Sequence, residues 1–157
     1  MGNYTNKLSF VHRAIRNAEE EPDLMQKWRL IKVLNQKFGI KSRTGPHLAI
    51  HKKYGYVKHT LAKHELSDFH LHNPDVTALY HNPPLIFEID GDIHILKGRV
   101  IRQTNSRNEH YEQAIIKGKH AKLIWLTDKE CEISEELLTL LLVQKFHDQG
   151  IKFELLA

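Results

Sequence analysis

Apolar positions recur at helical spacing near the start of the chain, as Leu8, Val11, Ile15 and Ala18 within residues 5–20. Pro22 interrupts the pattern. A stronger stripe follows through residues 23–38, made by Leu24, Trp28, Ile31, Leu34 and Phe38, with Gly39 placed as a C-cap. Trp28 and Phe38 read as core residues. Residues 41–73 show little periodicity and are punctuated by Gly45, Pro46 and Gly55. They read as a basic loop with a short helix near 57–66 and a strand near 68–72. DVTALY (75–80) and LIFEID (85–90) are short apolar runs separated by HNPP, which predicts an antiparallel hairpin. Gly91 and Asp92 then turn the chain into IHIL, a third strand. Ser106 and Glu109 form an S-x-x-E capping box that predicts a helix over 107–117, ended by Gly118. KLIWLT (122–127) reads as a buried strand. Ser134 caps a helix to about 148, Gly150 closes it, and IKFEL (151–155) is a last strand.

This order predicts an α/β (α+β) domain, a mixed central β-sheet flanked by helices. At 157 residues the chain suits one domain. It divides into a helical N-terminal part (5–40), a basic segment (41–66) and a sheet core (68–157). Apolar residues at 41% and charged residues at 27% exclude a disordered or fibrous chain. No apolar run approaches the roughly 18 residues that span a bilayer, so no membrane partner is expected. MGNYTNKLSF lacks the apolar stretch of a secretory signal, and the expectation is an intracellular protein. The single cysteine, Cys131, excludes an internal disulfide and a Cys-based zinc knuckle. Twelve histidines are many, but no HExxH or Cys/His array organises them, and His70 and His72 are only an i, i+2 pair.

The formal charge of +4 is mild, yet it is unevenly spread. Lys41, Arg43, Lys52, Lys53, Lys58 and Lys63 fall in a stretch without one acidic residue, whereas residues 128–157 are net acidic. A segregated basic segment suits a polyanion such as nucleic acid.

The hairpin carries the candidate chemistry. Pairing Tyr80 with Leu85 sets Asp75 opposite Asp90 and Thr77 opposite Glu88; a slip of two residues sets Asp75 opposite Glu88 instead. Either way, side chains alternate along a strand, so Asp75, Thr77, Glu88 and Asp90 share one face. Three clustered carboxylates repel and call for a cation. Hard oxygen ligands with open positions suit Mg²⁺ or Mn²⁺. The bland alternative is the wet face of an edge hairpin.

Pro74-Asp75, then Glu88-Ile89-Asp90-Gly91, then His94, followed by RNEHYEQA (107–114) and KLIWLT, resembles the PD-(D/E)XK nuclease superfamily, and within it the very-short-patch repair endonucleases. The resemblance covers roughly residues 70–127. It implies a restriction-endonuclease-like fold and a Mg²⁺- or Mn²⁺-dependent endonuclease acting on DNA in repair, recombination or restriction. Asp75 and Glu88 would be metal ligands and Asp90 a further ligand or water-orienting group. Asp90 stands where the superfamily usually carries lysine, so His94, Lys97 or Gln103 would have to substitute. Related nucleases often bring an acidic residue from the first helix, for which Glu19, Glu20 and Glu21 qualify. Lys41, Arg43, Lys52, Lys53, Lys58, Arg99, Arg102 and Arg107 would contact nucleic acid, Arg through its forked donors. Cutting both strands calls for two sites, and so for a homodimer. The rivals are an inactive nucleic-acid-binding module with the same fold, a structural or subunit-interface protein, and an RNA-directed nuclease.

Overall fold

The computed structural model describes residues 22–91 and 98–156. Their elements are α1 (Pro22–Phe38), β1 (Arg43–Thr44), β2 (Leu48–His51), β3 (Val57–Lys58), a 3₁₀ turn (Lys63–Asp68), β4 (Phe69–His72), β5 (Val76–Ala78) and β6 (Leu85–Asp90). After these come α2 (Gly98–Gln113), β7 (Ile115–Ile116), β8 (Lys119–His120), β9 (Lys122–Thr127), α3 (Asp128–Glu132) and α4 (Glu135–Asp148). The molecule is mixed α+β. The helix expected over 5–20, with Glu19, Glu20 and Glu21, lies outside the described residues. So do IHIL, His94 and Lys97.

Four strands form the central sheet in the order β1-β5-β6-β9. β1, β5 and β6 run antiparallel to their neighbours, and β9 joins β6 in parallel after a crossover through α2. The sheet is therefore mixed, and its middle strand is buried on both faces. Leu85 and Phe87 enter a core shared with Leu30, Leu34, Leu138 and Phe146 of α1 and α4. Ile86, one step out of phase, enters a second core with Tyr111, Ile116, Leu123 and Ile50. Each such side chain contributes about 1.5–3 kcal/mol of burial. Ion pairing and hydrogen bonding fasten α1 to the C-terminal helices, through Lys32 to Glu135 (2.7 Å) and Gln26 to Glu132 (2.8 Å).

Several expectations change. Residues 41–73 are not a loop: β3-β2-β4 is a second, antiparallel sheet, and Leu48, Ala49 and Ile50 are all buried. The helix expected near 57–66 is a strand at 57–58 and a 3₁₀ turn at 63–68. β5 stops at Ala78 rather than running to Tyr80. α2 begins at Gly98, so Ser106 sits inside it and caps nothing, and the helix ends at Gln113. Gly118 instead takes φ +77° in the β7–β8 turn. Residues 151–155 form no strand; Phe153 packs edge-on against Phe38 at 5.7 Å. Ser134 does cap α4, its hydroxyl accepting from Leu137 N–H at 3.2 Å. Among the described residues no helix is long and apolar enough to cross a membrane.

Candidate active site

Strand alternation builds the site. Glu88 and Asp90 follow Ile86 on the α2 side of β6, where they are only 3% and 2% exposed. Charges this dry need partners. Arg107 of α2 supplies one, its Nη1 and Nη2 donating to the two Asp90 oxygens at 3.1 and 2.6 Å. The same Nη1 lies 3.6 Å from Glu88 Oε2. From β9, Trp125 Nε1 donates to Asp90 Oδ2. Burial works against the Arg107 charge, but the Asp90 hydrogen bond and the two carboxylates outweigh it and raise its pKa.

The pairs Val76–Phe87, Thr77–Ile86 and Ala78–Leu85 fix the hairpin register. One further step sets Asp75 beside Glu88, which is the slipped alignment rather than the one that faces Asp75 with Asp90. Thr77 is accordingly not opposite Glu88; its hydroxyl donates to Gly45 O at 2.6 Å. Asp75 Oδ2 accepts from Ile89 N–H at 2.8 Å, which ties the carboxylate to β6. Its Oδ1 lies 3.3 Å from Lys27 Nζ of α1. The Asp75 and Glu88 carboxyls are close enough to share a hydrogen bond, which needs a proton on one of them. Burial, then the Asp75 charge, pushes Glu88 up to about 8, with Arg107 opposing. The Tyr111 hydroxyl donates to Glu88, and burial pushes that phenol well above its usual range. Glu88 Oε1 remains buried with no hydrogen-bond partner.

That orphaned oxygen beside a second carboxylate is a fit for a divalent cation. Asp75 and Glu88 are two hard donors, and Mg²⁺ commonly takes one or two carboxylates and keeps waters for the rest. Asp90, expected as a third metal-side carboxylate, is engaged by Arg107 and Trp125. Among the described residues no group of three or more His, Cys, Asp or Glu is arranged to hold a metal ion.

The remaining candidates scatter. Arg107 points inward at carboxylates rather than outward at phosphate. Lys58, expected on nucleic acid, is paired with Glu65 at 2.6 Å. Lys41, Arg43, Lys52 and Lys53 are exposed. Arg99, Arg102 and Gln103 fall on α2, with side chains outside the described residues. A histidine cluster joins β4 to α2: His72 Nε2 meets His110 Nδ1 at 2.8 Å, and the His70 ring stacks on His110 at 3.6 Å. Burial, then His110, pushes His72 down to about 4. Burial lowers His70 and His110 as well.

Family models, curated proteins and solved structures give no match. The likeness to the PD-(D/E)XK nucleases therefore rests on the sequence string from Pro74 onward.

Lys27 and Trp125 were not singled out by sequence. Lys27 had a signal: it stands three residues after Leu24 and four before Ile31, a cation beside the apolar stripe of the sequence. Trp125 had none, because a tryptophan in an apolar strand reads as packing.

Proposed function

We propose that the chain hydrolyses nucleic-acid phosphodiester bonds, with a divalent cation held by Asp75 and Glu88. The observation that carries this reading is the buried, unpartnered Glu88 Oε1 next to Asp75. When bound, Mg²⁺ or Mn²⁺ supplies charge at the scissile phosphate and lowers the pKa of a water. Asp75 is held by Ile89 N–H, and Tyr111 steadies Glu88. Lys27 Nζ is the nearby cation that stabilises charge developing on the phosphate, the part left open by Asp90. Asp90 holds Arg107, and Arg107 holds Glu88. His94 and Lys97, which follow β6 in the chain, are further helpers in this reading. Exposed Lys41, Arg43, Lys52 and Lys53, with Arg99 and Arg102, bind the backbone, which gives affinity without sequence information. DNA is the preferred substrate class, and cutting both strands of a duplex takes two copies of the chain.

The test is incubation with plasmid, branched and mismatched DNA, and with RNA, in Mg²⁺, Mn²⁺ or EDTA. Wild type cuts in either metal and not in EDTA. Asp75→Ala/Glu88→Ala abolishes cutting while binding persists. Lys27→Ala lowers kcat by about 10²–10³-fold, the size of a lost electrostatic group. Mg²⁺ raises the melting temperature of wild type through binding to the native state, and Glu88→Ala largely loses that shift.

A second reading is a nucleic-acid-binding module without chemistry. One observation favours it: Lys27 and Arg107 already set cations against the carboxylates. Retained nucleic-acid binding with no cutting and no Mg²⁺ shift decides for it.

A further inference from the structure

The β2–β3 hairpin carries an aromatic stack at its tip. His51, the last residue of β2, stacks with both Tyr54 and Tyr56, ring centroids 5.1 and 4.7 Å away and planes within 16° and 14° of parallel. The stack is not a buried core. Tyr54 is 61% exposed and Tyr56 43%. Lys52 and Lys53 are exposed between these rings, with Lys53 Nζ 5.3 Å from the Tyr54 ring centre.

The tip is held stiffly. His51 Nδ1 accepts from the Lys53 and Tyr54 N–H groups at 3.2 and 3.0 Å, which fixes the turn and the plane of the central ring. His51 and Tyr56 both meet the Phe69 ring edge-on, at 5.1 and 5.6 Å. Gly55, at φ +78°, donates to His51 O at 2.9 Å and accepts from Ile115 N–H at 2.8 Å. A Cβ at Gly55 would come within 2.4 Å of Gln113 O, so only glycine lets the hairpin sit this close to the end of α2. The helix that carries Arg107 and Tyr111 at the carboxylates thus also braces the aromatic tip.

An exposed apolar surface on a rigid hairpin costs free energy in water unless something covers it. The charge around it selects the occupant. No acidic residue falls between Lys41 and Lys63, and the next in sequence, Glu65, is already paired with Lys58. A polyanion bearing flat rings meets both requirements. We infer that the tip of the β2–β3 hairpin is a stacking platform for unpaired nucleotides, Tyr54 and Tyr56 taking the bases and Lys52 and Lys53 the adjoining phosphates. Aromatic stacking of bases tolerates any sequence, because every base presents a π-face. The inference rests on the nucleic-acid part of the proposed function and narrows it to substrates with single-stranded character: flaps, bulges, mismatches or ends. It does not require that the carboxylate site be active.

The experiment is fluorescence anisotropy in EDTA, where cutting cannot interfere. Its probes are a short labelled oligothymidine, an abasic strand of equal length, and a blunt duplex. Tyr54→Ala and Tyr56→Ala are each expected to weaken oligothymidine binding about 5- to 150-fold, Tyr54→Ala at unchanged melting temperature. Tyr54→Phe keeps the affinity, because the ring does the stacking. Lys52→Ala and Lys53→Ala weaken all three probes and each lower the salt slope by about 0.7 on the single strand. The abasic strand binds wild type no better than oligothymidine binds the alanine variants. Folded alanine variants that bind oligothymidine as wild type does would overturn the platform. Wild type binding the abasic strand as tightly as oligothymidine would overturn it too, and that comparison decides if the variants do not fold. Tyrosine-dependent binding without metal-dependent cutting leaves the platform standing and removes the nuclease reading. Asp75-dependent cutting with tyrosine-independent binding does the reverse.

Discussion

Arg107 answers two carboxylates that are almost without water, and its removal takes that cation from both, leaving Asp90 its Trp125 N–H and Glu88 its Tyr111 hydroxyl. Breaking a buried pair from one side costs about 3–5 kcal/mol, because the charge left behind has no solvent to turn to. Arg107→Met should lose stability of that order in urea unfolding. Adding Asp90→Asn should recover a large part of it, since the amide no longer carries the charge that Arg107 balanced. A double variant as unstable as the single one would show that the loss is of packing rather than of charge. Asp75, Glu88 and Asp90 were legible in sequence as a set, because a period of two puts residues 75, 88 and 90 on one face in either register. Their partners were not legible: Lys27, Arg107 and Trp125 come from three other elements, and no local pattern encodes that meeting.

At the scale of elements, α1 and α4 were readable because each keeps one helical period against a single core, and β6 and β9 because each is a six-residue apolar run bounded by turn residues, buried between two cores. Within residues 41–73, β4 was readable, expected near 68–72 and found at Phe69–His72, but β1, β2 and β3 were not. β1 and β3 are two residues each, too short for any period, and β2 is buried at three successive positions, which erases alternation. α2 was begun too late because SRNE satisfies the capping pattern while lying within a continuing helix. The two serines make a paired test. Ser134→Ala removes the hydroxyl that accepts from Leu137 N–H and should cost about 1 kcal/mol. Ser106→Ala, at an exposed mid-helix position, should stay within about 0.5 kcal/mol of wild type in thermal unfolding. Equal losses at both would move the start of α2 back to residue 107.

Across the whole molecule, the raised Glu88 and the lowered histidine cluster of His70, His72 and His110 set how stability follows pH near neutrality without metal. His72 sits at about 4 against an ordinary 6.5, so the unfolded chain binds more protons between those values and acidification through that window destabilises. Glu88 sits at about 8 against 4.5, so the folded chain binds more protons there and stability falls as pH rises through that window. The two slopes oppose each other from 4.5 to 6.5, and only the Glu88 loss remains from 6.5 to 8. Melting temperature in EDTA should therefore decline from pH 6.5 to 8 in wild type and hold level in Glu88→Gln. In His72→Gln the opposing slope below 6.5 should weaken, with His70 and His110 still contributing to it, and a profile there identical to wild type would remove the role of His72. The parallel pairing of β6 with β9 has a consequence for the chain as it is made. Synthesis delivers the N-terminal part first. Lys27, Asp75 and Glu88 therefore leave the ribosome before Arg107, and Arg107 before Trp125. Until β9 pairs with β6, that edge of β6 stays open to water, and the burial that raises Glu88 is incomplete. A truncated product ending before Lys122 would carry both proposed ligands and lack the strand that covers one edge of β6.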